Sequence, residues 1–178
     1  MVAATAFNFG GYFLYVAGSP TILYQYLGYG AQDFWRFFVP MVAGLMSGSY
    51  ISGRMAGGYT HEQAVVAGFS IMLAAALVNF AVSLSVAPSG VSVIAPVAIY
   101  ACGAALAMPN LSLLALELFP KNRGLASALQ SFAQMAFGGL VAGLLVPMLA
   151  GHVAWFAAGM LVVNMMGLMC WWWCRSLS

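Results

Sequence analysis

Asn8, Tyr12, Tyr15 and Ser19 follow i, i+4, i+7, i+11 spacing, which on a helix is one face. Ser127, Ser131, Gln134 and Gly138 repeat that spacing further along, with Gln130 beside them. A hydroxyl or amide in an otherwise apolar helix costs free energy unless it meets water or a partner. The two stripes therefore read either as walls of a shared aqueous cavity or as a hydrogen-bonded seam between helices, and spacing leaves both open. Asn79 and Asn164 are lone amides within apolar runs and read as bonded to a neighbouring helix.

Covalent chemistry has less to draw on. No nucleophile stands at usable spacing from a base, and neither an HExxH run nor a phosphate loop is present, so the chain does not read as an enzyme. His61 and His152 are isolated between apolar runs, and Cys102, Cys170 and Cys174 form no CxxC pair. That leaves no metal-ligand set, and no cofactor is expected. No Asp, Glu, Lys or Arg falls near the middle of an apolar run, where proton relays usually employ one.

The elements that carry these residues follow from composition. The 178 residues are 64% hydrophobic and 4% charged, against about a quarter charged in an ordinary soluble domain. So few charges cannot make a water-facing surface, and a net charge of +2 excludes a nucleic-acid partner. Membrane lipid is the expected surrounding. Charges, glycines and prolines divide the chain into apolar runs, predicting helices at about 4–26, 34–57, 63–86, 91–116, 124–148 and 152–173. Each is close to the roughly 20 residues that cross a bilayer. A barrel would instead need alternating segments of about ten residues. The expected fold is an all-α membrane protein of six transmembrane helices in a single domain, 1–178. The opening residues lack the basic region of a signal peptide and read as the start of the first spanning helix.

Arg54, Lys121, Arg123 and Arg175 follow even-numbered helices, whereas Arg36 alone falls on the other side, so both termini are expected in the cytoplasm. Trp171, Trp172 and Trp173 fit an interfacial anchor at that end. Gly44, Gly48, Gly138, Gly139 and Gly143 read as close-packing positions, and Pro96 and Pro147 as bends. Pro20 and Pro109 stand late in their helices, half a chain apart, as in two three-helix units. An odd number of helices per unit would invert the second, a construction common in transporters.

The run Glu117-Leu118-Phe119-Pro120-Lys121-Asn122-Arg123-Gly124-Leu125-Ala126-Ser127-Ala128 resembles the stretch between the fourth and fifth helices of a major facilitator superfamily half. With Tyr15-Val16-Ala17-Gly18-Ser19-Pro20 and Met108-Pro109-Asn110, the whole chain is similar to the C-terminal half of the Bcr/CflA drug-resistance subfamily. That resemblance implies a 3+3 inverted repeat forming half of an inner-membrane antiporter of bacteria. Such proteins export small hydrophobic or cationic compounds in exchange for protons by rocking two six-helix halves about a cavity. The partner would be an N-terminal six-helix half or a second copy. The implied cavity residues are Asn8, Tyr12, Tyr15, Ser19, Asn110, Gln130, Ser131 and Gln134, and the implied cytoplasmic gating residues are Arg54, Glu117 and Arg123. Departing from the family, Ser52-Gly53-Arg54-Met55-Ala56-Gly57-Gly58 has glycines where further basic residues are expected. The proton-coupling carboxylate of the family belongs to the other half. The alternative is a non-transporting assembly or scaffold module in which both polar stripes are packing seams.

Overall fold

A computed structural model describes residues 1–85 and 89–176. Among the described residues the chain forms six helical rods and no β-strand. Helix α1, Val2–Thr21, continues through a π-helical turn, Ile22–Tyr26, and α2 is Trp35–Met55. Helices α3, His61–Ser85, and α4, Gly90–Glu117, are followed by α5, Arg123–Leu149, and α6, Val153–Ser176. A π segment, Val141–Leu145, interrupts α5 just before Pro147, whose missing N–H breaks the α ladder there. Pro96, by contrast, sits inside an uninterrupted α4.

The helix ends lie within a few residues of those predicted, and side-chain caps explain some of the shifts. Helix α3 begins at His61 instead of position 63 because Thr60 and Gln63 form a reciprocal cap. The Gln63 N–H donates to Thr60 Oγ at 3.2 Å, and the Thr60 N–H to Gln63 Oε1 at 3.0 Å. Ser89 and Ser92 cap α4 in the same reciprocal way, at 3.3 and 2.9 Å. The predicted end of the third helix, position 86, lies outside the described residues.

Among the described residues, helices α3 to α6 are the four that are long and apolar enough to cross a membrane by length and composition. The two others carry much of the polarity: Asn8, Tyr12 and Tyr15 on α1, and Ser47, Ser49, Ser52 and Arg54 on α2. Their lengths, about 30 Å or more at 1.5 Å per residue, still match a hydrocarbon core.

Helices α1, α4, α3 and α6 enclose the core, in which Tyr15, Phe69, Tyr100, Phe156 and Trp171 are buried. Helix α2 packs chiefly on α4, and α5 chiefly on α1. Helix α4 also contacts α3 and α1, while α1 also contacts α6, and α3 meets α6. Apolar helices gain little from leaving lipid for one another, so their association rests on close packing and interhelical hydrogen bonds. Gly44 and Gly48, one turn apart, set α2 against the α4 backbone, where any Cβ would collide with the carbonyls of Ala98 and Cys102. Gly68 and Gly103 likewise let the α3 and α4 backbones approach each other. Gly138 lies near Phe9 and Phe13 of α1, but Gly139 and Gly143 face open space and are not packing positions within this chain.

Polar contacts bring six helix ends together. The Met1 amino group lies 2.9 Å from Cys174 Sγ, Arg175 pairs with Glu62 at 3.2 Å, and Gln130 bonds Thr5. Asn110 joins the end of α2 to the start of α3. Arg54, Lys121, Arg123 and Arg175 therefore share one end of the bundle, and Arg36 stands at the other, 3.2 Å from Asp33. Replacing Gly44 or Gly48 by leucine is expected to cost about 1–3 kcal/mol or more through overpacking. Gly139→Leu is expected to be tolerated, and thermal unfolding in detergent measures the difference.

Candidate functional site: a cavity between α1, α2 and α4

A cavity of about 720 Å³ lies between α1, α2 and α4, at the end of the bundle that gathers the basic residues. Tyr12 of α1, Leu45, Ser49, Ser52 and Gly53 of α2, His61 of α3, and Ala104, Ala105, Met108, Pro109, Asn110 and Leu113 of α4 line it, together with Ala56. Small side chains on the facing helices leave the space unfilled. Its outer edge, including Ser49, Gly53 and Pro109, is exposed. Pro109 also has no N–H to offer the Ala105 carbonyl one turn earlier, so that acceptor lacks its intrahelical partner.

Asn110 organises the polar end. Its Nδ2 donates to the Leu106 carbonyl at 2.9 Å and to Ser52 Oγ at 3.0 Å, while Oδ1 lies 2.8 Å from His61 Nδ1. A carbonyl oxygen only accepts, so the amide atom against Leu106 must be the nitrogen. The oxygen then faces His61 and can itself only accept, which requires a proton on Nδ1 of the imidazole. In the neutral ring, Nε2 is consequently the lone-pair nitrogen. His61, Ser52 and Asn110 come from three helices, and Asn110 is 8% exposed.

Of the residues expected to line a cavity, Tyr12 and Asn110 do so. The others occupy different surroundings. Asn8 is buried and donates to the Ala104 carbonyl at 3.2 Å, its Oδ1 lacking a protein partner among the described residues. Tyr15 is buried, and its hydroxyl accepts from Asn79 Nδ2 at 2.6 Å, which makes Asn79 an interhelical bond as its isolation suggested. Ser19 donates to the Val16 carbonyl within its own helix at 2.8 Å. Gln130 donates to Thr5 Oγ and Ser112 Oγ at 3.2 and 2.8 Å, tying α5 to α1 and α4. Gln134 is buried and Ser131 exposed, so the second stripe is divided between two sides of α5. Asn164 is buried, and among the described residues neither end of its amide bonds to protein, so the bond to a neighbouring helix expected of it is not formed.

Of the residues expected to gate, Arg54 lies over the Tyr50 ring at 5.3 Å. Gly57, at φ +97°, turns the chain out of α2 in a conformation that suits glycine, giving that position a backbone role. Among the described residues, Glu117 and Arg123 form no ion pair. His61, which reads from sequence as an isolated loop residue, instead opens α3 and belongs to the cavity. The Thr60-x-x-Gln63 pattern was the available signal, since it starts the helix early enough to include the imidazole. Ser49 and Ser52 carried no comparable signal.

Comparison with known proteins yields no matching family model, curated protein or solved structure.

In a background with the three native cysteines replaced, cysteines at positions 12, 49 and 113 are expected to react with a membrane-impermeant thiol reagent. Cysteines at positions 8 and 15 are expected to stay unlabelled, and mass spectrometry reads the pattern. Tyr15→Phe strands the Asn79 amide. A loss of about 1–3 kcal/mol is expected, seen as a lower Tm.

Proposed function

We propose that the chain is one wall of a secondary transporter: a six-helix half of the major facilitator type, similar to Bcr/CflA drug exporters. It works with a second six-helix unit, either an N-terminal half or another copy, and moves small hydrophobic or cationic compounds by alternating access. The observation that carries this reading is the cavity itself. Its lining is largely apolar but has a polar end formed by Ser52, His61 and Asn110, and its outer edge is exposed. A covering unit would close that edge. Tyr12 suits the ligand class, because its ring face receives apolar or cationic groups while its hydroxyl remains available to water.

Packing supports the repeat that the resemblance implies. Exchanging α1 with α4, α2 with α5 and α3 with α6 turns the principal helix contacts into one another. The two most exposed rods, α2 and α5, then hold equivalent places. Arg54, Lys121, Arg123 and Arg175 at one end support a cytoplasmic location for that end and both termini, in a bacterial inner membrane. Lipid covers the remaining apolar surface.

The second reading, a non-transporting assembly or scaffold module, is favoured by the internal bonding of Asn8, Tyr15 and Gln130. Those residues act as a seam in either case. Export of ethidium from cells lacking their own efflux pumps separates the two. Export is expected only when this chain is supplied with a second six-helix unit. Full-rate export by demonstrably monomeric protein would overturn the half-transporter reading, and no export with any second unit would favour the scaffold.

A further inference from the structure

We propose that Nε2 of His61 is the hydrogen-bonding pole of the cavity, and that the cavity takes an apolar, aromatic molecule carrying a single hydrogen-bond donor. This deepens the transporter reading and rests on it. Asn110 Oδ1 holds the proton on Nδ1, because the Asn110 amide is itself fixed by the Leu106 carbonyl. The lone pair of the neutral ring therefore lies on Nε2. The neutral ring offers an acceptor that cannot donate. The hydroxyls of Tyr12, Ser49 and Ser52 both donate and accept, so they do not discriminate between ligands in the same way.

The rest of the lining sets the body of the ligand. Leu45, Ala104, Met108 and Leu113 give an apolar trough, with the Tyr12 ring available for stacking. About 720 Å³ is within the usual range for small-molecule pockets.

The surrounding charged side chains stand outside the lining. Among the described residues, Tyr12 of α1 is the one other titratable side chain lining the cavity. Helix α2 brings Arg54 one position beyond the lining residue Gly53, with its guanidinium over Tyr50. On α3, the neighbouring Glu62 is held by Arg175 of α6. Helix α4 contributes no charged residue to the lining, its Glu117 standing beyond Leu113.

Binding of 2-naphthol and of 2-methoxynaphthalene to the full chain in lipid nanodiscs tests the assignment, since the pair differs in the donor. At about pH 8 the naphthol is expected to bind up to about tenfold more tightly, the worth of one net hydrogen bond. His61→Asn keeps an amide donor for Asn110 but has no atom at the Nε2 position. It is expected to bind both probes equally, with an unchanged Tm. Equal binding of the two probes by the native chain, or a preference for the naphthol surviving in His61→Asn, overturns the assignment of His61 alone. Failure of both probes to bind overturns the ligand-binding cavity within this chain, whereas the transporter reading stands or falls with ethidium export in the presence of a second unit.

Discussion

Helix α4 is approached at backbone distance from two sides, and the shape of the bundle depends on that approach. Gly44 and Gly48 let α2 rest on the α4 carbonyls, and Gly68 meets Gly103 from α3. In lipid these contacts do what burial of apolar surface does in water, because hydrocarbon is as good a neighbour for leucine as another helix is. Once α2 is fixed against α4, the space beyond its glycines is bounded by small residues and remains open. The same contact that holds the helices together thus determines where the cavity begins.

Polarity is distributed around that frame in two ways. Asn8, Tyr15, Asn79 and Gln130 find partners on other helices, which satisfies groups that lipid cannot hydrate. Tyr12 and Asn110 combine contact with the bundle and access to the cavity. A seam and a cavity are therefore not exclusive descriptions of α1: successive positions of one stripe serve each. Rotation along the helix separates them, with Tyr12 half-buried and Tyr15 fully enclosed.

The six rods were legible because apolar runs broken by charge and glycine are a strong signal at the length of a bilayer crossing. Helix ends were less so, and α3 shows why: its start depends on the reciprocal bonds of Thr60 and Gln63 more than on hydropathy. The site was legible only in part. Periodicity identifies residues that share a face but not what that face meets, so Tyr12 and Tyr15 could not be assigned different surroundings from spacing. Nor could Ser131 be separated from Gln134, although one is exposed and the other buried. His61 and Asn110 lie on different helices, and their meeting depends on the packing of α3 against α4, which no local pattern records.

The two histidines show how far position alone underdetermines chemistry. Each stands at the start of the third helix in its half of the chain, at opposite ends of the bundle. His152 Nδ1 accepts from the Ala154 N–H at 3.3 Å, so this nitrogen must carry a lone pair and, in the neutral ring, the proton sits on Nε2. His61 Nδ1 faces an oxygen and must carry the proton. The rings thus hold opposite tautomers, set by a backbone donor in one case and an amide acceptor in the other. His152 spends its lone pair capping its own helix. His61 keeps its lone pair on the nitrogen that its structural bond does not use, and so can serve the cavity without loosening the contact between α3 and α4.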